Sequence, residues 1–267
     1  MIYDCFNFND EIDLLEIRLN HHSFVDKFII IESAKTYTGN PKPLYFEHIK
    51  SAFEKFKDKI YYIKIDFPFE TNEGWKYEHL QRNILRGFTF QRDDLIIYSD
   101  CDELLKDESV LKQCTKNINH LQMDLCFYYL NLKLKEVTIK HENYHLNPCF
   151  KNKWHMAKVI KPNVLNMFEN LYEIRQYQIQ QPDFLIQNAG WHFSNLGSPE
   201  RILNKLQSIS HWGESSFQGL TIEKIKQNKK ELIDPLGRDG CKYDIIPDED
   251  LPEYIIENKD KYANYFR

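Results

Sequence analysis

The chain of 267 residues lacks most of the short patterns that announce a function. No G-x-x-x-x-G-K-[ST], G-x-G-x-x-G or G-x-S-x-G occurs, so nucleotide loops and nucleophile turns of those types are absent. The six cysteines are Cys5, Cys101, Cys114, Cys126, Cys149 and Cys241, and no two stand at C-x-x-C spacing. That argues against a zinc ribbon or a redox pair. Cys5, Cys101 and Cys126 sit in apolar, strand-like surroundings and read as buried free thiols of a reducing compartment. Basic residues are not in excess: 35 Lys and Arg face 40 Asp and Glu, for a net charge of −5. No nucleic-acid partner is expected from that balance. No apolar run reaches the roughly 18 residues of a membrane span, and none is expected. The opening MIYDCFNFNDE has no basic stretch leading into an apolar one, so a classical export signal is not expected either. Repeats, low-complexity tracts and linkers are also missing, which predicts one domain over 1–267.

What is present is alternation. Residues 2–6, 28–31, 60–65 and 95–99 read as short buried strands. Between them lie helical patterns at 10–22, 47–58 and 75–88, the first capped by Asn9, and a Gly/Pro-marked loop at 36–46. Strand–helix alternation predicts βαβ units, a Rossmann-type, mostly parallel sheet flanked by helices, and ligands at the strands' carboxyl ends. The second half predicts mixed or antiparallel strands and further helices. Helices are expected at 107–119, 199–210, 221–233 and 252–266, and strands at 124–134 and in short pieces of 136–188. NAGWHFSNLG (188–197) reads as turn-rich.

The chemistry gathers at LIIYSDCDELL (95–105), where an apolar strand runs into Asp100, Asp102 and Glu103. Carboxylates crowded at a strand end repel one another unless water or a cation compensates. Asp100 and Asp102, two apart, can share a divalent ion such as Mn2+ or Mg2+, which prefers oxygen ligands and leaves positions for phosphate. Glu103 caps the next helix or supports the metal site from behind. A second D-x-D, Asp248 and Asp250, follows no apolar strand and reads as a solvated acidic turn. His192, in GWHFS, is a candidate third metal ligand or phosphate contact, set against a packed core histidine. Arg82 and Arg86 lie four apart, and one of them could fork onto a diphosphate, against plain surface salt bridges. Glu32 ends a strand at the ligand edge, Lys35 and Lys42 lie in the loop after it, and these are candidates for a nucleotide's base and phosphates.

With these segments assembled, the chain resembles glycosyltransferase family 17, whose best-known members add the bisecting β-1,4-linked N-acetylglucosamine to N-glycans. The resemblance runs through YDCFNFNDEIDLLEIRLN (3–20), FIIIESAKTYTGNPKPLYF (28–46), WKYEHLQRN (75–83), DDLIIYSDCDEL (93–104) and AGWHFSNLG (189–197), in that order. It departs at Leu104-Leu105, where an Ile-Pro pair is expected, and no anchor and stem like those of the animal Golgi enzymes are expected for it. The resemblance implies a GT-A-like fold, UDP-N-acetylglucosamine as the UDP-sugar donor, a glycan acceptor, Mn2+ or Mg2+ on the D-x-D of Asp100 and Asp102, and inversion at the anomeric carbon. On that basis about 1–105 form the nucleotide-sugar half and about 106–267 the acceptor half of one domain. The departure from the animal enzymes points to a cytoplasmic enzyme of bacterial or viral type, or to one whose membrane anchor lies outside this sequence.

Inversion requires one general base for the acceptor hydroxyl. Glu214 and Asp183 are the candidates, as carboxylates of the acceptor half. Two other readings compete. A sugar nucleotidyltransferase usually has a Gly-rich basic loop after its first strand, where this chain has FNFND (6–10). A catalytically inactive sugar-binding protein of the same fold has no need of an intact Asp100/Asp102 pair.

Overall fold

Phe28, Ile29 and Ile30 are wholly buried, and Ile31 is nearly so. A strand covered on both faces needs no polar alternation, which is why FIII is continuously apolar. The computed structural model describes all residues except 67, 69–73, 138–151, 179–181, 183, 238 and 239. Its first half runs β1 (Ile2–Phe8), α1 (Ile12–His21), β2 (Lys27–Ser33), α2 (Tyr45–Ile49), β3 (Ile60–Ile65), α3 (Gly74–Asn83) and β4 (Leu95–Tyr98). The strands lie in the order β3-β2-β1-β4, each parallel to the next, so their carboxyl ends share one edge.

The second half adds β5 (Glu103–Leu105), α4 (Ser109–Lys112), β6 (Ile118–Phe127), β7 (Leu132–Val137), β8 (Lys153–Trp154), β9 (Lys158–Ile160) and α5 (Tyr172–Gln176). Then come β10 (Leu185–Ser194), α6 (Pro199–Ser208), α7 (Ile222–Glu231), β11 (Cys241–Ile245) and α8 (Glu253–Glu257). β9 joins the parallel half by pairing antiparallel to β4, and β6 pairs antiparallel to β9. β10 runs parallel to β6 and carries β5 on its other edge. The expected α/β architecture is therefore present, with a parallel half continued by mixed strands.

Several stretches differ from the sequence expectation. Helix 107–119 is a single turn, α4, because the Asn119 side chain closes a loop instead, bonding both the N–H and the carbonyl of Lys116. The strand expected over 124–134 is a hairpin, with β6 turning at Tyr128 into β7. The helix expected over 252–266 keeps only α8 and a final 3-10 turn, Ala263–Tyr265. Asn9 does not cap α1, which begins at Ile12 after Glu11.

The turn-rich reading of 188–197 is also corrected, since Trp191, His192 and Phe193 lie inside β10. Pairing on both edges outweighs the turn residues, which are absorbed as a bulge: Asn188 has φ 50°, Gly190 has φ 151°, and the register shifts between Ile186 and Gly190. A Cβ on Gly190 would stand 1.9 Å from the Leu104 carbonyl oxygen, so only glycine lets β5 approach. This close approach brings His192 opposite Glu103 and beside the acidic turn.

Candidate active site

β4 is apolar until Tyr98, and the chain then reverses through residues 99–102 into β5. The Glu103 N–H donates to the Asp100 carbonyl at 3.0 Å, and the Asp100 N–H donates to Glu103 Oε2 at 2.7 Å. The turn is held from beneath by Arg18 of α1, whose side chain is fully buried. Its Nη1 donates to the carbonyls of Asp100 (2.6 Å), Cys101 (3.2 Å) and Glu103 (2.7 Å), and Nη2 donates to Ser99 Oγ at 2.6 Å. Arg18 is forked onto Asp4 of β1, at 2.5 and 2.9 Å. His22 completes the clamp: Nε2 accepts from the Leu105 N–H at 3.0 Å, so Nδ1 carries the proton it donates to Asp4, at 2.8 Å. The imidazole is thus neutral, as its burial and lowered pKa also require. Burial alone would raise the Asp4 pKa, but Arg18 and His22 outweigh it and hold the carboxyl down at about 2.

Above this clamp the three carboxylates meet protein cations. Asp100, with a third of its side chain exposed, accepts from Arg82 Nη2 on Oδ1 and from Arg175 Nη2 on Oδ2, both at 2.8 Å. Glu103, fully buried, takes Arg175 on both oxygens, at 2.7 and 2.9 Å, and also the Trp154 indole N–H. Glu103 is therefore an arginine anchor in β5 and caps no helix. Asp102 Oδ2 accepts from Lys205 Nζ of α6 at 2.6 Å and lies 3.4 Å from His192 Nε2. Burial would raise the Asp102 pKa, yet Lys205 and His192 pull it far below the usual range. Lys205, bound also to Glu11 at 3.1 Å, is correspondingly held charged.

These groups line a cleft of about 1600 Å³ at the carboxyl edge of the parallel strands. Among the described residues no cluster of three or more His, Cys, Asp or Glu is arranged around one metal position. Asp102 and His192 nevertheless fit as two ligands of one divalent ion. Their 3.4 Å separation suits it, the ring lies tilted against Trp154 with centroids 4.2 Å apart, and both line the cleft. Such ions commonly take one or two protein ligands and leave the rest to phosphate and water.

The other expected residues divide. Arg82, Lys35, Lys42 and Glu214 line the same cleft. Glu214 sits on its rim, half exposed, where its Oε1 accepts from His211 Nδ1 at 2.7 Å. Glu32 does not: its buried carboxylate takes the N–H groups of Tyr45 (2.6 Å) and Phe46 (3.1 Å), the Tyr62 hydroxyl (2.8 Å) and Lys42 (3.2 Å), fixing the start of α2. Arg86 also points elsewhere. The helix ends at Asn83, so Arg86 falls in a 3-10 turn and forks onto the carbonyls of Leu165, Phe168 and Glu169. Asp183 lies outside the described residues. Asp248–Asp250 forms a surface turn with Asp248 ion-paired to Lys259.

Arg18, Arg175, Lys205 and Trp154 went unread in the sequence. A signal existed for Arg18: three and four residues before it stand Leu15 and Leu14, both buried, so it lies on the apolar face of α1. Arg175, the one cation of the short α5, gave none, and neither did Lys205, which shares α6 with Arg201 and so does not stand out by its charge.

The sequence profile of glycosyltransferase family 17 matches residues 1–229. The chain belongs to glycosyltransferase family 17. Beta-1,4-mannosyl-glycoprotein 4-beta-N-acetylglucosaminyltransferase of Rattus norvegicus is 25% identical to this family 17 chain over 98% of its length and 53% of the rat protein. The Homo sapiens protein of the same name is 25% identical over 98% of this chain and 54% of its own. The chain thus spans about half the length of the curated relatives it matches. Mannosyltransferase PcManGT from Pyrobaculum calidifontis, solved in complex with GDP-Man and Mn2+, is 10% identical. It covers 70% of this chain and 56% of its own, with a TM-score of 0.39. The family assignment rests on the sequence match.

Proposed function

We propose that the protein transfers N-acetylglucosamine from UDP-N-acetylglucosamine to a glycan hydroxyl, with inversion. One observation carries the reading: an acidic turn at the carboxyl end of β4, ringed by Arg82, Arg175, Lys205 and His192, at the base of a large cleft. Anionic diphosphate and divalent ion are the chemistry that such a ring accepts. The family and the printed names of its relatives support the sugar and the reaction class. No helix among the described residues is long and apolar enough to cross a membrane. The five described cysteines are free thiols, which supports a cytoplasmic setting.

A divalent ion on Asp102 and His192 would supply positive charge to the departing diphosphate. The chain's own groups do the rest. Asp100 holds one guanidinium on each oxygen, so Arg82 and Arg175 keep fixed positions beside the phosphates, with Arg82 over the Tyr172 ring at 5.8 Å. Trp75 packs edge-on to Tyr172 (5.2 Å) and His211 (4.5 Å), giving the cleft an aromatic wall for a base or sugar face. Glu214, beside His211, takes the acceptor's proton as the new bond forms opposite the leaving group.

Two measurements test this. UDP-N-acetylglucosamine with Mn2+ should raise the melting temperature by several degrees, as about 100 Kd of a ligand adds about 2.7 kcal/mol. GDP-mannose at the same concentration should not; equal shifts would reject the donor assignment. Glu214→Gln should lose about a hundredfold in turnover while keeping the donor-induced shift. Full turnover in that variant would pass the base role to Asp183.

A further inference from the structure

Lys205 does more than neutralise a carboxylate. Its ammonium lies 2.6 Å from Asp102 Oδ2 and 3.1 Å from Glu11 Oε1, so it already bridges two seats. The oxygen it occupies on Asp102 is the same Oδ2 that faces His192 Nε2 at 3.4 Å. An ion bound between Asp102 and His192 must use that oxygen. Lysine and ion are therefore rivals for one atom. Glu11 is the seat to which the ammonium can withdraw, and its side chain is mostly buried beside the cleft.

We propose that Lys205 is an internal counter-ion that makes metal binding depend on the nucleotide. This inference rests on the donor reading given above. Without donor, the ammonium satisfies Asp102 and a divalent ion must displace it. When a nucleoside diphosphate enters, its phosphates offer the ammonium a new partner, and Glu11 keeps it near during the exchange. Asp102 Oδ2 is then released to the ion. Metal and nucleotide bind with positive coupling, and by linkage each tightens the other equally. The sequence of events avoids an exposed, metal-loaded site with no substrate in it.

The test is Mn2+ binding, followed by electron paramagnetic resonance or calorimetry, with and without saturating UDP. In the wild-type protein UDP should tighten Mn2+ by more than tenfold. In Lys205→Met, Mn2+ alone should bind about ten- to a hundredfold tighter, as expected for losing a charge-assisted competitor. UDP should then add little, so the coupling factor collapses. Lys205→Arg keeps the rival charge and should keep the coupling. Lys153→Met removes a cleft lysine that is paired with Asp124 instead, and controls for general charge. Unchanged coupling in Lys205→Met, or an equal loss in Lys153→Met, would overturn the proposal while leaving the donor reading intact. Failure of UDP to bind the wild-type protein at any Mn2+ concentration would overturn both.

Discussion

Arg18→Met is expected to lower the unfolding free energy by about 3–5 kcal/mol, the range for breaking one side of a buried ion pair. Arg18 and Asp4 have no exposed side-chain surface, so neither can turn to water when the other is lost. Methionine has similar length and would fill much of the space. It would leave Asp4 with only neutral His22, and the carbonyls of Asp100, Cys101 and Glu103 without their donor. Urea unfolding reads the effect as a lower midpoint at constant slope. Arg18→Lys keeps the charge but cannot reach two carboxylate oxygens, a hydroxyl and three carbonyls together, so it should fall between. The donor-induced rise in melting temperature should shrink in both variants, because the acidic turn loses its floor. A Met variant within about 1 kcal/mol of wild type would mean that Asp4 is compensated some other way.

The same clamp sets an acid limit. The folded Asp4 pKa, about 2, lies below the ordinary 3.8, so the folded state favours the ionised form. Its contribution is full above pH 4 and is lost as pH falls from about 4 to 2, amounting to roughly 2 kcal/mol. Arg18→Met should remove that part of the acid sensitivity, since the pKa is no longer held down.

Legibility followed the range of the interactions. The parallel half was readable because each strand announces itself locally: FIII and LIIY are apolar through and through, and helices intervene at regular spacing. Asp100 and Asp102 were readable because the strand before them fixes which edge they occupy. The answer to their repulsion was not. It comes from Arg82, Arg175 and Lys205, which lie 18, 75 and 103 residues from the carboxylates they bind. Glu103 reads as a helix cap only if a helix follows, and its partner Trp154 arrives from β8. The turn-rich reading of NAGWHFSNLG failed for a related reason. Its Gly and Asn residues do mark a local irregularity, but pairing with β5 and β6 turns that irregularity into a bulge within a central strand. Glu32 and Arg86 show the opposite error. Both are charged residues at the right end of the right elements, and both are consumed by backbone groups nearby.

Asp102→Asn is expected to cut the proposed sugar transfer on the order of a thousandfold, comparable with losing a main source of charge stabilisation at the leaving group. Asparagine keeps the shape of the side chain and removes only the charge. The Asp102 carbonyl still accepts from the Phe193 N–H at 2.9 Å, so the turn stays tied to β10. Lys205 retains Glu11 as its partner, and a fifth of its side chain is exposed, so stability should change by less than about 1 kcal/mol. Binding and chemistry can then be separated. Arg82 and Arg175 remain on Asp100, so UDP should still bind, more weakly and with little response to Mn2+. Raising Mn2+ should recover part of the turnover if His192 alone gives a weak site. If Asp102→Asn turns over donor at the wild-type rate and with the wild-type Mn2+ dependence, Asp102 holds no ion during the reaction. The cationic ring would then be the whole of the electrostatic apparatus, and Lys205 would move from rival of the metal to its replacement.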